Sequence, residues 1–457
     1  MAEGFTCAVP DEKFRSACED LPKYSGSRYC VLHEPSEGKN KGDFEEVKKS
    51  KLDRKDYDFG GTIFPDGTSD FSGFEFRART NFSGTTFIGD AQFAEAQFGG
   101  EWTSFSGVKF DGGRTDFSGA RFGGEWTDFI ATTFGGDGTN FLEAEFSGGR
   151  TDFTAATFGE DTSFSKARFD SVETSFAGAT FAKEVDFSQA TFKEKVAFLG
   201  STTNTVFDRD AWASFNRSRI EKPELVTFNT VLLHPGWFIN VDVRKVDFTD
   251  VKWYGMPGGP KGTFNKEIDN LKKRDIESPH SLLAQACRRL SANAEENHEY
   301  PLANEFHYWS RNALRKQGWT RLGLIGTLYW ALSGYGVRAA RAFGWLVVIW
   351  VGFALLYMLM GSKELHVFSA SEAWKYVAQH IWTNPLGWRA PSQSEIKHFW
   401  ADIRPALVYS LGALARLRPE PQPDGPSWFQ FFVTVEGILG PLQVALLALA
   451  IRRKVMR

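Results

Sequence analysis

Cysteine is scarce in this chain of 457 residues: the four present are too few and too clustered for the disulfide frame of a small secreted protein. The opening, MAEGFTCAVPDEKF, lacks a basic stretch followed by an apolar one. No signal peptide is therefore expected, and the N-terminal part reads as reducing and cytoplasmic. Also missing are a GxGxxG or GK[ST] loop opening a helix, an HExxH pair and a GxSxG elbow, and the eight histidines are scattered. An enzyme is not expected. Net charge is only −3, which excludes a polyanion binder by bulk electrostatics. At this length one core does not suffice, and three or more regions are expected.

What is abundant is phenylalanine, with 43 copies, and glycine, with 44. From about Phe59 to Phe198 the phenylalanines come in pairs five apart: Phe105 and Phe110, Phe117 and Phe122, Phe129 and Phe134, Phe141 and Phe146, Phe153 and Phe158. Two positions before a phenylalanine sits a small or β-branched residue, as in Thr115, Ala120, Thr127, Thr151, Ala156 and Ala179. Just before the first of each pair stands Asp116, Asp128, Asn140, Asp152 or Ser175. Neither a 3.6-residue nor a two-residue period produces this. A chain that turns a corner every five residues does. Every phenylalanine then points inward, the small residue shares the interior, and the Asp or Asn bonds the corner backbone.

The pattern resembles a pentapeptide-repeat right-handed quadrilateral β-helix, in the phenylalanine-rich form with an extra residue or two every second repeat. The resemblance implies a rod of around six coils, roughly 30 Å long at about 4.8 Å per coil, over residues 59–255. The stretch 208–240 reads as an irregular insertion before a closing coil. The rod carries more acids than bases. Some members of this family mimic DNA and bind type II topoisomerases; here a solubilising role is preferred and nucleic-acid binding is not expected.

Ahead of the rod, residues 1–40 hold Cys7, Cys18, Cys30 and His33. Two thiolates and a Cys-x-x-His pair suit tetrahedral zinc, which would staple a short polar segment. The competing reading is three unrelated thiols in a tail. The segment resembles the small Cys/His knuckles that sometimes precede such repeats. Residues 41–58 and 256–280 read as linkers, the second glycine- and proline-rich at its start and helical at Lys266 to Arg274. Residues 281–317 read as an α-helical hairpin, with one stripe of Leu282, Leu283, Ala286 and Leu290 and another of Leu302, Phe306, Trp309 and Ala313. Cys287 reads as a buried small residue, and His298 and His307 as ordinary polar side chains.

The last third is apolar. Residues 320–342 read as an interfacial helix, 343–361 as a first transmembrane helix, 362–401 as an extracytoplasmic segment, and 427–451 as a second transmembrane helix. Residues 452–457 form a basic end. Arg338 and Arg341 before the first crossing and the basic end after the second place both termini in the cytoplasm of a multi-pass protein of the cell (inner) membrane. Between the crossings, Pro405 reads as a helix start, and Pro419, Pro421 and Pro423 as its end. A half-helix that enters a bilayer and turns back must be buried in protein or line water. Residues 402–425 thus read as a pore loop.

ALVYSLGAL, a polar turn and FFVTVEGILGPLQVALLALAIRRK resemble the pore helix, filter and second helix of a two-helix, potassium-channel-like pore module. Where such filters place a TVGYG-type run, this chain has Ala415, Arg416, Leu417, Arg418, Pro419 and Glu420. Potassium selectivity is not expected; a ring of Arg416 and Arg418 would favour either anions or a constricted, non-conducting pore. Glu436 either lines the conduction path or pairs with Arg416 or Arg418. Gly437, Gly440 and Pro441 either permit a bend or allow close helix packing. The whole reads as a multidomain membrane protein, a homo-oligomer of four copies by analogy. The rod offers a surface for a cytoplasmic protein partner; the competing reading is a non-conducting membrane scaffold.

Overall fold

The computed structural model describes residues 6–9, 11–18, 20–35, 39–201, 205–260, 262–317, 319–360, 393–415 and 427–455. The chain divides into two units, Met1–Asn297 and His298–Arg457.

The first unit is built on parallel strands of mostly two or three residues, stacked into four long sheets of nine, six, seven and six strands. Each coil contributes one strand to each side. Thr103 pairs with Thr127, and Thr127 with Thr151, so a coil here takes 24 residues. The phenylalanines form four interior ladders. Along one, Phe105, Phe129, Phe153 and Phe176 stack at 4.8–5.0 Å with ring planes within 5° of parallel. Neighbouring ladders meet edge to face, as Phe105 does Phe117 at 5.4 Å and 90°. The small residues at Thr115, Ala120, Thr127, Thr151, Ala156 and Ala179 are all buried. At the corners Asp116, Asp128, Asn140 and Asp152 accept from the backbone N–H two residues on.

The stack is taller than six coils: about eight turns, with nine strands on one side, or roughly 38 Å. Residues 208–240, expected as an insertion, continue it. Trp212–Ser214 pairs with Glu184–Asp186, Val226–Asn229 with the strand Lys195–Leu199, and Phe207, Phe215, Phe228 and Phe238 extend the ladders. The pentad spacing fails there, but the inward positions stay aromatic, and ring stacking sets the path. Glycine pairs turn two of the corners without side chains. A Cβ on Gly148 would lie 1.9 Å from the Gly124 carbonyl oxygen, and one on Gly136 1.9 Å from that of Gly113.

Both ends of the stack are covered. Residues 41–58, read as a linker, contain helix α1 (Lys41–Asp53), whose Asn40 cap accepts from Gly42 N–H. Its Phe44 meets Phe64 edge-on at 5.2 Å. Lys48 and Lys51 are buried and donate to the carbonyls of Thr68 and Ala17. At the other end α2 (Phe264–Lys273) and α3 (Pro279–Glu296) pack on the last coil. Glu267, fully buried, accepts from Gly236 N–H at 2.8 Å and bonds His234 at 3.0 Å. Asn293 Nδ2 lies 2.7–3.0 Å from the carbonyls of Val243, Arg244 and Val246. The expected hairpin at 281–317 is thus divided: α3 belongs to the first unit, and α4 (Tyr300–Gln317) to the second. The reason is local, since the last coil's open backbone captures α3.

In the second unit α4 packs on α5 (Trp319–Ser333). The expected continuous interfacial helix at 320–342 is broken after Ser333, where Gly334, Tyr335 and Gly336 take positive φ. Helix α6 (Ala339–Met360) then starts before the expected position 343. Helix α7 (Gln393–Leu414) carries Pro405 in its interior, whereas the sequence suggested that the helix starts there. Helix α8 (Ser427–Val455) closes the unit against α6 and α7. Among the described residues, two helices are long and apolar enough to cross a membrane, over Ala339–Tyr357 and Gln430–Arg453.

Removing one inward ring is expected to be costly: Phe141→Ala should destabilise the protein by about 3–5 kcal/mol. Gly148→Ala, which drives a methyl into a backbone carbonyl, should cost about 1–3 kcal/mol. Chemical denaturation followed by far-ultraviolet circular dichroism checks both. A neutral Gly148→Ala would mean that this corner is looser than described.

Candidate functional site

Two groups of side chains carry chemistry. The first lies at the start of the chain, where a short helix, Glu12–Cys18, and a bridge between Lys23 and Cys30 fold the segment back on itself. All of Cys7, Cys18, Cys30 and His33 are buried, and their ligand atoms lie within 4.8 Å of one another. No cysteine is in a disulfide. His33 Nδ1 sits 3.2 Å from Cys30 Sγ and 3.6 Å from Cys7 Sγ, while its Nε2 is 2.9 Å from the Gly60 carbonyl. That carbonyl can only accept, so the proton is on Nε2 and the Nδ1 lone pair faces the sulfurs. The Cys18 thiol hydrogen-bonds Cys30 and, with the nearby His33, holds the Cys30 thiol down to about 4. The same bond and burial push Cys18 up. A closed cluster of three sulfurs and one oriented imidazole can hold a metal ion; it offers no open position for substrate.

This cluster is joined to the stack it precedes. Ile63 N–H donates to the Leu32 carbonyl at 3.0 Å, and Ser16 Oγ to Asp58 at 2.8 Å. The Phe14 ring lies on the first coils so closely that a Cβ at Gly84, whose φ is +65°, would come within 2.4 Å of it. Neither Phe14 nor the Gly60 carbonyl was singled out by sequence. The Cys and His spacing reveals a candidate cluster but not what its other atoms touch.

The second group joins α6, α7 and α8. Glu436 is fully buried. Tyr357 Oη donates to its Oε2 at 2.6 Å, and Ser410 Oγ lies 2.5 Å from its Oε1 and 2.9 Å from the Trp350 carbonyl. Trp350 Nε1 donates to the Leu407 carbonyl at 3.0 Å, and Tyr357 meets Tyr409 edge-on. Where the sequence suggested an arginine partner or a conduction path, hydroxyls from two helices occupy both carboxylate oxygens. Arg416, Leu417, Arg418, Pro419 and Glu420 lie outside the described residues, as do residues 361–392 of the expected outer segment. Ala415 follows the end of α7, its N–H bonded to the Leu411 carbonyl. Gly440 packs so tightly that an added Cβ would be 2.8 Å from the Leu414 carbonyl oxygen, and one on Gly437 3.8 Å from that of Ala413. Close helix packing therefore has a direct observation behind it. Pro441 follows within α8. Tyr357 and Ser410 were missed; the signal available was a hydroxyl inside each of two apolar runs.

A family model for pentapeptide repeats, in nine copies, matches residues 71–121 and 141–191. These stretches are pentapeptide repeats. No curated protein and no solved structure matches the chain. The pentapeptide-repeat stack extends beyond the matched residues in both directions, because coils from Tyr57 onward and to Thr249 pair in the same nine-stranded sheet. The repeat pattern accounts for the stack and for neither chemical cluster.

Tyr357→Phe strands a buried carboxylate oxygen, as does Ser410→Ala, and each should cost about 1–3 kcal/mol. Because both act on one carboxylate, the double variant should lose less than the two single losses together. Thermal unfolding in detergent measures all three. Strict additivity would show that the hydroxyls do not share Glu436.

Proposed function

We propose that this chain is a channel-like membrane protein with a cytoplasmic pentapeptide-repeat domain as scaffold or sensor. The reading rests on one observation above all: α7 stops at Leu414 beside Gly440, near the middle of α8. If α6 and α8 cross the bilayer, α7 is a re-entrant helix ending at mid-depth. Its last carbonyls lack partners within the helix, and hydrocarbon supplies none. They must be covered by protein or face water. Several copies around an axis meet that need, and four copies follow by analogy with two-helix pore modules. Val408 and Leu411 on α7, and Ile438 and Leu442 on α8, are at least half exposed in the single chain and would face lipid or neighbouring copies.

Both crossing helices present a basic end at the same side of the unit. Arg453 Nη1 donates to the Tyr335 carbonyl at 3.0 Å, just before α6, and the Arg453 carbonyl accepts from Asn304 at 3.1 Å. That arrangement supports both termini in the cytoplasm of a cell (inner) membrane. Arg416 and Arg418 follow α7 and would favour anions at the pore mouth. In planar bilayers the parent should pass anions over cations, and Arg416→Ala with Arg418→Ala should weaken or reverse that preference. Cation selectivity in the parent would sink the anion assignment.

A second reading, a non-conducting anchor for the scaffold, is supported by the internal bonding of Glu436, whose two carboxylate oxygens are both taken by hydroxyls. Native mass separates the two: a ring of four supports the channel, one or two copies the anchor.

The N-terminal cluster is proposed to bind structural zinc through Cys7, Cys18, Cys30 and His33, with Gly60 orienting the imidazole. Bound metal would lock Phe14 and the first coil together. Elemental analysis should give one zinc per chain in the parent and much less in Cys30→Ser. Chelation should expose the 1–60 segment to protease before the rest of the stack. A metal-free parent with the same protease resistance would reduce the cluster to packed thiols.

A further inference from the structure

We propose that the arginine-rich end of the helical unit binds the phosphate of an anionic phospholipid; this rests on the membrane reading above. The guanidinium groups of Arg315 and Arg341 both lie against the Trp330 ring, 4.0 and 5.4 Å from its centroid. Arg338 lies over Tyr308 at 4.9 Å, and Trp330 Nε1 donates to Tyr308 Oη at 3.3 Å. The arginines are held by neutral groups. Arg341 donates to the Trp330 carbonyl at 3.2 Å, Arg315 to Asn312 at 3.0 Å, and Arg453 to the Tyr335 carbonyl. These contacts orient positive charge and neutralise none of it.

Glu305, paired with Arg338 at 2.8 Å, is the one carboxylate in the group among the described residues. Among the described residues, no ion pair forms at Arg311, Arg315, Arg341 or Arg453. Arg315 Nε is buried with no acceptor. Five guanidinium groups among the described residues therefore share a single counter-charge where α4, α5, α6 and the end of α8 meet. The site adjoins the start of the first apolar span at Ala339. The next side chains along α6 are exposed and apolar: Phe343 at 58%, Trp345 at 40% and Val348 at 57%.

A lipid phosphodiester answers both features. Its oxygens take the remaining guanidinium donors, as an oxyanion does in a bidentate arginine contact. Its acyl chains lie along Phe343, Trp345 and Val348. A zwitterionic headgroup brings its own cation and gains little from this field, whereas an anionic one gains with each arginine near the surface. Inorganic phosphate shares the oxyanion chemistry but covers no apolar surface.

Native mass spectrometry of the full-length protein in detergent, titrated with phosphatidylglycerol or with phosphatidylcholine, tests this. Phosphatidylglycerol should bind at least about tenfold more tightly than phosphatidylcholine, and Arg315→Gln with Arg341→Gln should remove most of that preference. Glu305→Gln, which frees Arg338, should tighten phosphatidylglycerol binding several-fold, a gain that misfolding would not produce. Equal retention of the two lipids, an unchanged double variant, or no gain in Glu305→Gln each overturns the proposal. So does displacement of the lipid by equimolar inorganic phosphate, which would make this a free-phosphate site. Flotation with neutral phosphatidylcholine vesicles separates the underlying reading. A parent that floats but shows no anionic preference sinks the lipid site alone, and one that never floats sinks the membrane assignment and the lipid site with it.

Discussion

Ring-on-ring stacking of phenylalanine at the spacing of parallel strands is the constraint on which the first unit depends. Two- and three-residue strands are far too short to hold a sheet by their own hydrogen bonds. They persist because each coil delivers four aromatic rings to the interior, and each ring meets its counterpart one coil away at about 5 Å. The corners follow from the same requirement. A side chain must turn inward every fifth or so residue, so the backbone turns there, and Asp, Asn or Ser satisfies the exposed N–H. Where the extra residues are Gly-Gly, successive corners approach within a distance that no Cβ allows.

A stack of this kind has an interior that its own coils close only at the sides. Each end exposes aromatic rings and unpaired strand backbone, a ready template for unwanted association. The chain deals with the two ends differently. At the start, Phe14, Phe44 and buried lysines close the first coils, and the Cys/His cluster meets them through the bond from His33 to the Gly60 carbonyl. At the finish, α2 and α3 do so with Glu267 and Asn293, whose side chains bond backbone groups of the last coils. What looked like connecting sequence on either side of the repeats is a part of the same folded unit.

The helical unit is organised by one buried acid instead of by repetition. Glu436 gathers Tyr357 and Ser410, and these bonds set where α7 lies against α6 and α8. Gly437 and Gly440 then let the end of α7 approach α8. An acid placed in an apolar helix is costly unless fully bonded, and here it is bonded by groups on two other helices, which couples the position of all three. The arginines gather at the end of this unit where Arg453 reaches the Tyr335 carbonyl.

The repeat was legible from residue order because its rule is local: Phe105, Thr115, Asp116 and their equivalents each do the same task in every coil, so a period in sequence is a period in space. The Cys/His cluster was legible for a related reason, since few residue types bind metal and Cys30 and His33 stand three apart. The apolar spans could be read from composition alone. Tertiary structure decided the rest. Residues 208–240 lost the five-residue spacing yet stayed in the stack, because an aromatic ring can reach the ladder from a backbone of another length. Residues 281–317 looked like a self-contained hairpin, but α3's stripe had a second possible partner in the last coil, and only three-dimensional proximity chooses between partners. Pro405 looked like a helix start although the helix continues on both sides of it. The hydroxyl partners of Glu436 lie 26 and 79 residues away along the chain. No spacing rule connects such positions; folding alone brings them within hydrogen-bond reach.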